Sequence, residues 1–209
     1  MSAAQKQLFT RSQLGAPERP RRGRPKKPGA GLPHLRRPPV DARHPHHVTI
    51  RMRRGVWNLR TQRCFRPIAT ALRAVRDREG FRVVHFSVQS NHLRLVTEAD
   101  DRHSMSNGMR ALFIWIAKRL NALMRTSGRL YANRFHERVL KTPNETRNVV
   151  RYVLGNHTHH YAREGVDAFS SANGALGDDP PWAVPESWLL KIGWRRGAAA
   201  ASRAKPPAS

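Results

Sequence analysis

The sequence has one cysteine, few acidic residues and no long apolar run. Cys64 alone cannot form an intramolecular disulfide framework or a multi-cysteine zinc or iron–sulfur site, so nothing favours an oxidising compartment. No apolar run approaches the roughly 18 residues that a membrane span needs. The polar start also lacks the apolar stretch of a signal peptide. We therefore expect neither export nor insertion into a membrane.

Acidic residues are scarce relative to basic ones. The 209 residues include 14 Asp plus Glu against 39 Lys plus Arg, which gives a formal net charge of +25. Such an excess needs a polyanion to balance it. Nucleic acid is the leading partner, ahead of an acidic membrane surface, because the chain has no obvious lipid-facing amphipathic anchor. A bacterial cytoplasmic or a nuclear location fits this composition, and the location we predict is the bacterial cytoplasm, in association with the nucleoid.

The first 45 residues form a basic arm that is expected to be disordered. Eight of the fifteen prolines lie between Pro17 and Pro45 among clustered arginines, so this part cannot bury apolar area. One arginine- and lysine-rich run, 22–27, resembles an AT-hook core, although nonspecific phosphate binding explains the same residues and is the favoured interpretation. The candidate DNA-binding residues are Arg22, Arg24, Lys26, Lys27, Arg36, Arg37, Arg51, Arg53 and Arg54.

Regular hydrophobic periodicity begins at about residue 46, and residues 46–160 are expected to form one folded domain. The pattern predicts strands over 47–52, 83–88, 92–97 and within 130–140, and helices over 63–78, from 104 to about 126, and from Thr142 onward. Thr142, Pro143 and Glu145 have the order of a capping box. Residues 161–196 are expected to pack on or beside this domain as an extension, and 197–209 to be disordered.

The order β-α-β-β-α-β-α predicts an α+β fold of the ferredoxin-like kind, with one antiparallel sheet and helices packed on a face. Two places in this fold carry candidate chemistry. His92 and Arg94 are two residues apart on a predicted strand, so both project from the same face. Tyr152 and Asn156 are four residues apart on the last helix and share a helical face. If that helix lies against the sheet, a phenol, an amide, an imidazole and a guanidinium converge.

Four motifs in this order resemble the single-tyrosine transposases of the insertion sequence 200 type, and especially the REP-associated tyrosine transposases. The motifs are His47-Val48-Thr49, residues 88–96 (VQSNHLRLV), residues 134–139 (RFHERV) and residues 151–156 (RYVLGN). The resemblance covers roughly residues 46 to 160, about half of the chain. It implies a nuclease of the histidine-hydrophobe-histidine (HUH) class that acts on single-stranded or hairpin DNA.

The resemblance also implies roles for individual residues. His92 matches the first metal-binding histidine, Tyr152 the nucleophile, and Asn156 a further ligand of a divalent metal, Mg²⁺ or Mn²⁺. In the family the tyrosine attacks the scissile phosphate, which leaves a 5′-phosphotyrosine and a free 3′-hydroxyl that later rejoins DNA. A tyrosine with an unperturbed pKa of about 10 needs a nearby metal or cation to act near neutral pH.

Arg94 stands where the family has its second histidine. Arginine stays protonated and has no lone pair for a metal, so it cannot bind Mg²⁺ and would repel it. Two hypotheses follow: Arg94 acts as a fixed cation on the scissile phosphate, or the domain has lost cleavage and retains DNA binding. A less favoured alternative is that another histidine replaces the missing metal ligand. The sequence offers three candidates: His47, His85 and His136.

Other interpretations of the same residues stay open at this point. Tyr152 and His92 are also compatible with purely structural roles. Asn156 is equally compatible with a helix C-cap. The histidines of the run 157–160 are compatible with a solvated loop in which they have no function. A sheet-based RNA-binding module of similar topology is the weakest alternative, because it needs exposed aromatic residues on its strands and these offer little beyond Phe86. The resembling family contains both monomers and dimers, so a homodimer stays open too.

Overall fold

Strands and helices follow one another along the chain in the order β1-α1-β2-β3-α2-β4-α3. The structure is a computed structural model that describes residues 37–155, 165–176 and 178–196. The strands are β1 His46–Arg51, β2 Phe81–Val88, β3 His92–Ala99 and β4 His136–Val139. The helices are α1 Gln62–Arg76, α2 Arg102–Met124 and α3 Pro143–Leu154, followed by a 3₁₀ turn at Gly174–Leu176 and a π-helical turn at Leu189–Gly193. Within the described ranges, no helix combines the length and apolar character needed to cross a bilayer.

The four strands form one sheet in the order β2-β3-β1-β4, and every neighbouring pair is antiparallel. Helix α1 connects β1 to β2, and α2 connects β3 to β4, so each helix crosses over one intervening strand. This is the ferredoxin-like α+β arrangement. The fold class predicted from the sequence is therefore confirmed.

Both faces of the sheet are covered, because alternate residues of a strand point to opposite sides. On one face, Val48, Ile50, Leu93 and Leu95 join the buried sides of α1 and α2 in the larger apolar cluster. On the other face lies a smaller cluster formed by Val84, Val96, Leu140, Val149, Val150, Val153 and Leu190. Three of these valines belong to α3. The sequence predicted helices on a single face, whereas α3 packs on the opposite one.

An irregularity in β2 contributes to this division. The pairing of β2 with β3 shifts register between Val83 and His85. As a result the β2 residues of the larger cluster change from the odd positions Phe81 and Val83 to the even positions Phe86 and Val88. A β-bulge of this kind breaks the simple alternation along a strand.

Helix α3 begins as the sequence predicted. Glu145 N donates to the side chain of Thr142 at 3.2 Å, and Thr142 N donates to the Glu145 carboxylate at 3.3 Å. Pro143 occupies the first helical turn, where no intrahelical partner for its nitrogen is needed. The capping box is confirmed, and it fixes the start of the helix that carries Tyr152.

The ends of α1 and α2 differ from the prediction. Helix α1 ends at Arg76, so that Gly80 lies beyond it in the turn to β2, with φ +67°. A Cβ at Gly80 would lie 2.8 Å from Ser104 Oγ, so the glycine permits a close approach to α2. Helix α2 ends at Met124, and its C-cap Arg125 is left-handed (φ 54°), with Thr126 N donating to Asn121 O at 2.9 Å.

The strand predicted within 130–140 is shorter than expected. Only His136–Val139 pairs regularly with β1, and an isolated bridge joins Met52 to Tyr131. The Tyr131 ring stacks on Phe113 with 4.5 Å between ring centroids, and its hydroxyl donates to Phe113 O at 2.8 Å. These contacts tie the segment to α2, and the regular ladder begins only at His136.

The segment after residue 164 packs along the free edge of β2. Val88 N donates to Phe169 O, Ser171 N to Phe86 O and Ala183 N to Val83 O, at 2.9 to 3.0 Å. These bonds occupy backbone groups that an edge strand otherwise exposes. Further along, the Glu98 carboxylate accepts hydrogen bonds from the backbone at residues 186 and 187. The C-terminal segment thus closes one edge of the sheet.

Gly108 of α2 is expected to tolerate no side chain. A Cβ at this position would lie 2.1 Å from Cγ of the buried Phe81 ring. Alanine favours helix by about 1 kcal/mol over glycine, yet overpacking of this kind costs about 1 to 3 kcal/mol or more. Gly108→Ala should therefore lower the urea midpoint of unfolding, while Ser106→Ala on the exposed side of α2 should leave it nearly unchanged. An unchanged midpoint in Gly108→Ala would contradict this close contact.

Candidate functional site

The candidate site lies on the face of the sheet that α3 covers only in part. The pairing register places Arg51 opposite His92 and Thr49 opposite Arg94 across β1 and β3. On the other side of β1, His136 pairs with Thr49 and Arg138 with His47. Paired residues share a face, so β1, β3 and β4 contribute these polar side chains to it: His47, Thr49, Arg51, His92, Arg94, His136 and Arg138. Ser87 of β2, which pairs with Arg94, lies on the same face and is buried.

Helix α3 presents Tyr152 at the border of this polar area. Val149, Val150 and Val153 are buried in the smaller apolar cluster, which leaves the Tyr152 side chain 39% exposed. The helix ends at Leu154, with Gly155 as its C-cap at φ −93°. Asn156, the predicted further ligand, and the histidines of the run 157–160 lie outside the described residues.

His92 and Arg94 are joined by a direct hydrogen bond. Arg94 Nε lies 3.1 Å from His92 Nε2, and His92 Nδ1 lies 2.9 Å from Asn91 Oδ1. Because a guanidinium only donates, Nε2 must accept, and the imidazole proton must therefore sit on Nδ1 and point to Asn91. The shared face predicted for the two residues is confirmed. Asn91 was not predicted as part of the site, although its place directly before His92 in the turn was visible in the sequence.

Arg94 also covers the candidate nucleophile. Its Cζ lies 4.1 Å from the centroid of the Tyr152 ring, which is the geometry of a cation–π contact. Burial and then the neighbouring positive charge of Arg51 lower the pKa of Arg94 from its ordinary value, but an arginine in a protein stays protonated. The structure thus brings an imidazole, a guanidinium and a phenol together, as the sequence predicted.

His47 is a further member of this group. Its ring meets that of Tyr152 edge to face, with 6.3 Å between centroids. Burial, followed by the positive charges of Arg94, His136 and Arg138, lowers the pKa of His47 to about 4, so the ring is neutral at pH 7. His47 Nε2 is buried and has no hydrogen-bond partner among the described residues. From the sequence His47 is recognisable only as a substitute metal ligand, because its contact with α3 depends on tertiary packing.

The electrostatic character of the site is positive. Among the described residues, no carboxylate lies within ion-pairing distance of Arg51 or Arg94. Arg138 is paired with Glu145 at 3.0 Å near the start of α3. Two arginines without a counter-ion on one face of a sheet can bind a phosphate diester, since guanidinium groups form short, charge-assisted hydrogen bonds to phosphate oxygens.

The side chains that the structure describes at this site do not fit the divalent metal that the resemblance implies. The lone pair of His92 Nε2 accepts the hydrogen bond from Arg94, and the opposite nitrogen carries a proton. A cation so close also opposes the approach of a second cation. Within the described ranges, no three His, Cys, Asp or Glu side chains converge as a metal-binding group. His85, the other substitute considered, instead lies 3.4 Å through Nδ1 from Ser171 Oγ.

The predicted DNA-binding residues are only partly described. Arg51, Arg53 and Arg54 are exposed at the end of β1 and in the loop that follows it. Arg37 has contacts within the fold: it pairs with Glu137 at 2.9 Å, and its Cζ lies 3.5 Å from the Phe135 ring centroid. The remaining candidates lie outside the described residues: Arg22, Arg24, Lys26, Lys27 and Arg36.

The fold and site define a ferredoxin-like α+β domain with a half-exposed tyrosine packed against a histidine–arginine pair. The chain is similar to a solved REP-associated tyrosine transposase bound to a REP hairpin, with a TM-score of 0.55 and 18% identity over 67% of this chain and 82% of that one. It is also similar to a candidate transposase from Deinococcus radiodurans, with a TM-score of 0.39 and 16% identity over 60% of this chain and 96% of that one. No protein-family model and no curated protein sequence matches the chain.

The likeness to the REP-associated tyrosine transposase concerns the fold. At 18% identity it shows that the two chains share the same arrangement of strands and helices. The resemblance inferred from the four sequence motifs is therefore confirmed at the level of the fold. The shared fold does not assign roles to Tyr152, Arg94 and His92. Their roles are inferred below from the contacts that they make within this chain.

Proposed function

We propose that this chain is a DNA-binding protein on the scaffold of the REP-associated tyrosine transposases, in which Arg94 takes the place of the divalent metal. The single observation that carries the proposal is the 3.1 Å hydrogen bond from Arg94 Nε to His92 Nε2. It engages the lone pair that a metal would need and fixes a permanent cation beside Tyr152. The solved relative was bound to a REP hairpin, and single-stranded or hairpin DNA is the partner proposed here.

The phosphate backbone is the part of DNA that this site is suited to bind. Arg51 and Arg94 lie on the same face, and neither has a carboxylate partner in the described part of the chain. Tyr152 adds an exposed ring edge next to the cations. In this arrangement Arg94 donates hydrogen bonds to a phosphodiester, and the exposed Arg51, Arg53 and Arg54 extend the positive surface along the strand.

DNA binding is expected to be independent of divalent metal and to depend on Arg94. In fluorescence anisotropy, a labelled hairpin with a single-stranded extension should bind equally in Mg²⁺ and in EDTA at constant ionic strength. Arg94→Ala should weaken binding roughly 10-fold or more, because a hydrogen bond to a charged group contributes about 1.5 to 3 kcal/mol. Arg78→Ala is the control, since it removes the same charge from an exposed turn after α1.

Two results would contradict this proposal. One is tight binding that requires Mg²⁺ and disappears in EDTA. The other is an Arg94→Ala variant that binds no more weakly than Arg78→Ala. The second result would mean that the fixed charge at Arg94 contributes only to the general positive field of the protein.

Cleavage through Tyr152 is a second candidate, favoured by the exposure of Tyr152 and by the charge over its ring. The phenolic oxygen would bond to the scissile phosphorus as the bond from phosphorus to the 3′-oxygen breaks. The phenolic proton would pass to the released 3′-hydroxyl, and the 5′-phosphate would stay on Tyr152. A denaturant-resistant adduct with labelled hairpin DNA that vanishes in Tyr152→Phe would establish this activity.

The RNA-binding alternative has little support. Modules of that kind stack bases on exposed aromatic side chains of the central strands. Phe86, the aromatic residue that the strands offered for this role, is fully buried in the larger apolar cluster. It lies against α1 and Phe65 rather than on the polar face that carries His92 and Arg94.

A further inference from the structure

The layer formed by α1 and α2, on the opposite side of the sheet from Tyr152, contains no acidic residue. Both helices together include eight arginines and lysines and not one aspartate or glutamate. Three of the eight are paired with carboxylates from other parts of the fold: Arg73 and Arg76 with Asp179, and Arg102 with Glu137. The other five have no carboxylate partner among the described residues: Arg63, Arg66, Arg110, Lys118 and Arg119.

The unpaired charges of α2 lie on its outward side. Its buried residues, Met105, Met109, Leu112, Ile116 and Leu120, form the stripe that faces the core. Residues four apart on a helix are neighbours, so Arg110, Ile114 and Lys118 form one outward row and Trp115 and Arg119 an adjacent one. We call these five residues the α2 surface. Of the described charged groups on the outward side of α2, all are basic.

Two large apolar side chains are exposed within the α2 surface. Ile114 is 46% exposed and Trp115 is 39% exposed. The Arg119 guanidinium lies over the Trp115 ring, with Cζ 4.5 Å from its centroid. A similar pair occurs just before α1, where Arg63 Cζ lies 4.7 Å from the exposed Trp57 ring. An exposed tryptophan ring beneath an arginine thus accompanies each of the two helices of this layer.

This combination has the chemistry of a site for single-stranded nucleic acid. Aromatic rings stack on unpaired bases, cations bind the intervening phosphates, and neither contact needs a particular base sequence. A lipid surface fits less well, because an interfacial helix needs a broad apolar face and that face of α2 is buried in the core. A partner protein would have to be strongly acidic to match the charge.

We propose that the α2 surface is a second binding site, specific for single-stranded nucleic acid and separate from the Arg94 site. Because α2 and the Arg94 site lie on opposite faces of one sheet, a single chain can hold two strands at once. The protein would then bridge two nucleic-acid segments, or two parts of one folded strand. This inference goes beyond the function proposed above and does not need Tyr152 or Arg94 to act.

A bridging assay with the full-length chain tests this proposal. Hairpin DNA is fixed to beads, the protein is bound, and capture of a fluorescent oligo(dT) strand without secondary structure is measured. Trp115→Ala/Lys118→Ala should lower the affinity for the second strand about 10-fold, since stacking on one ring contributes about 1 to 3 kcal/mol per base. Retention of the protein on the hairpin beads should stay as in the wild type.

The matched control is Trp188→Ala/Lys191→Ala. It also removes one exposed indole and one lysine charge, but from the C-terminal segment. It should bridge as the wild type does, and thermal unfolding should show that both double variants are folded. Equal bridging by the α2 double variant and the control would overturn the proposal. The proposal would also fail if the α2 double variant lost binding to anionic lipid vesicles while its capture of oligo(dT) stayed unchanged. Arg94→Ala should weaken retention on the hairpin only, so failure at either site is recognised separately.

Discussion

Replacing Arg94 by histidine is expected to create a metal-dependent, DNA-cleaving site. The substitution removes the donor that occupies His92 Nε2. It also places a second imidazole two residues along the same strand face, about 6.6 Å away at the backbone, from where both rings can reach one ion. A Lewis-acid metal at a phosphate contributes several kcal/mol to the transition state, so adduct formation with Tyr152 should rise about 100-fold or more above wild type.

The measurement has two independent readouts. Binding of Mn²⁺ without DNA, followed by electron paramagnetic resonance, should appear in Arg94→His and be much weaker in wild type. A denaturant-resistant adduct with labelled hairpin DNA should then form in Mn²⁺ or Mg²⁺ and be absent in EDTA.

Arg94→His/Tyr152→Phe is the control for chemistry, because it should bind Mn²⁺ yet form no adduct. Arg94→Ala is the control for the ligand, because it removes the donor to His92 Nε2 but supplies no second imidazole. If Arg94→His bound Mn²⁺ no better than Arg94→Ala, the guanidinium would not be what excludes the metal. If wild type formed the adduct as fast as Arg94→His, the fixed cation would itself be sufficient for catalysis.

Local patterns in the sequence were enough to predict most of the fold. Alternation along β1 and β3, helical spacing in α2 and the capping box at Thr142 each depend on neighbours within a few residues, and the structure confirms all three. The face on which α3 packs was not predictable in this way. It depends on the packing of the α3 valines against Val84 and Val96, residues more than fifty positions away, and no local pattern records such a contact.

The contacts of the candidate site also include local ones, which the sequence predicts, and long-range ones, which it does not. His92 and Arg94 share a face by strand geometry, so their contact followed from a spacing of two. The edge-to-face contact of His47 with Tyr152 joins residues more than one hundred positions apart, and no local rule predicts it. Arg37 also has a partner that no local rule predicts. Its basic surroundings predict a DNA contact, and the ion pair with Glu137 joins it to a strand one hundred residues away.

Glu137 is the centre of a buried ionic cluster that joins several distant parts of the fold. Its side chain is 2% exposed and lies 2.9 Å from Arg37 Nη1 and 3.0 Å from Arg102 Nη1. His46 Nδ1, which is fully buried, lies 2.9 Å from its other oxygen. Arg102 also donates to Pro38 O. One carboxylate therefore holds the segment before β1, strand β1 itself and the start of α2 against β4.

Glu137→Gln is expected to destabilise the protein by about 1.5 to 3 kcal/mol, because it removes charge-assisted hydrogen bonds to Arg37 and Arg102, whose side chains are 19% and 32% exposed. Urea unfolding followed by circular dichroism measures this effect. Glu145→Gln is the matched control: its ion pair with Arg138 is largely exposed, with side chains 34% and 58% accessible. Glutamine also preserves the capping box, and an exposed pair contributes at most about 1 kcal/mol. Equal losses in the two variants would mean that the buried cluster adds nothing specific.

Glu137→Gln is also expected to change the pH dependence of stability. Burial alone would raise the pKa of Glu137, but hydrogen bonds from His46, Arg102 and Arg37 outweigh it and lower the pKa to about 2. Between about pH 4.5 and pH 2 the unfolded chain therefore binds a proton at this carboxyl that the folded chain does not, so stability falls as the pH is lowered through this window. His47 and His85, each with a pKa lowered to about 4 mainly by burial, titrate in both proteins and cancel in the comparison. The difference in unfolding free energy between wild type and Glu137→Gln should shrink from pH 5 to pH 2, and a constant difference would show that the cluster does not depend on the charge of Glu137.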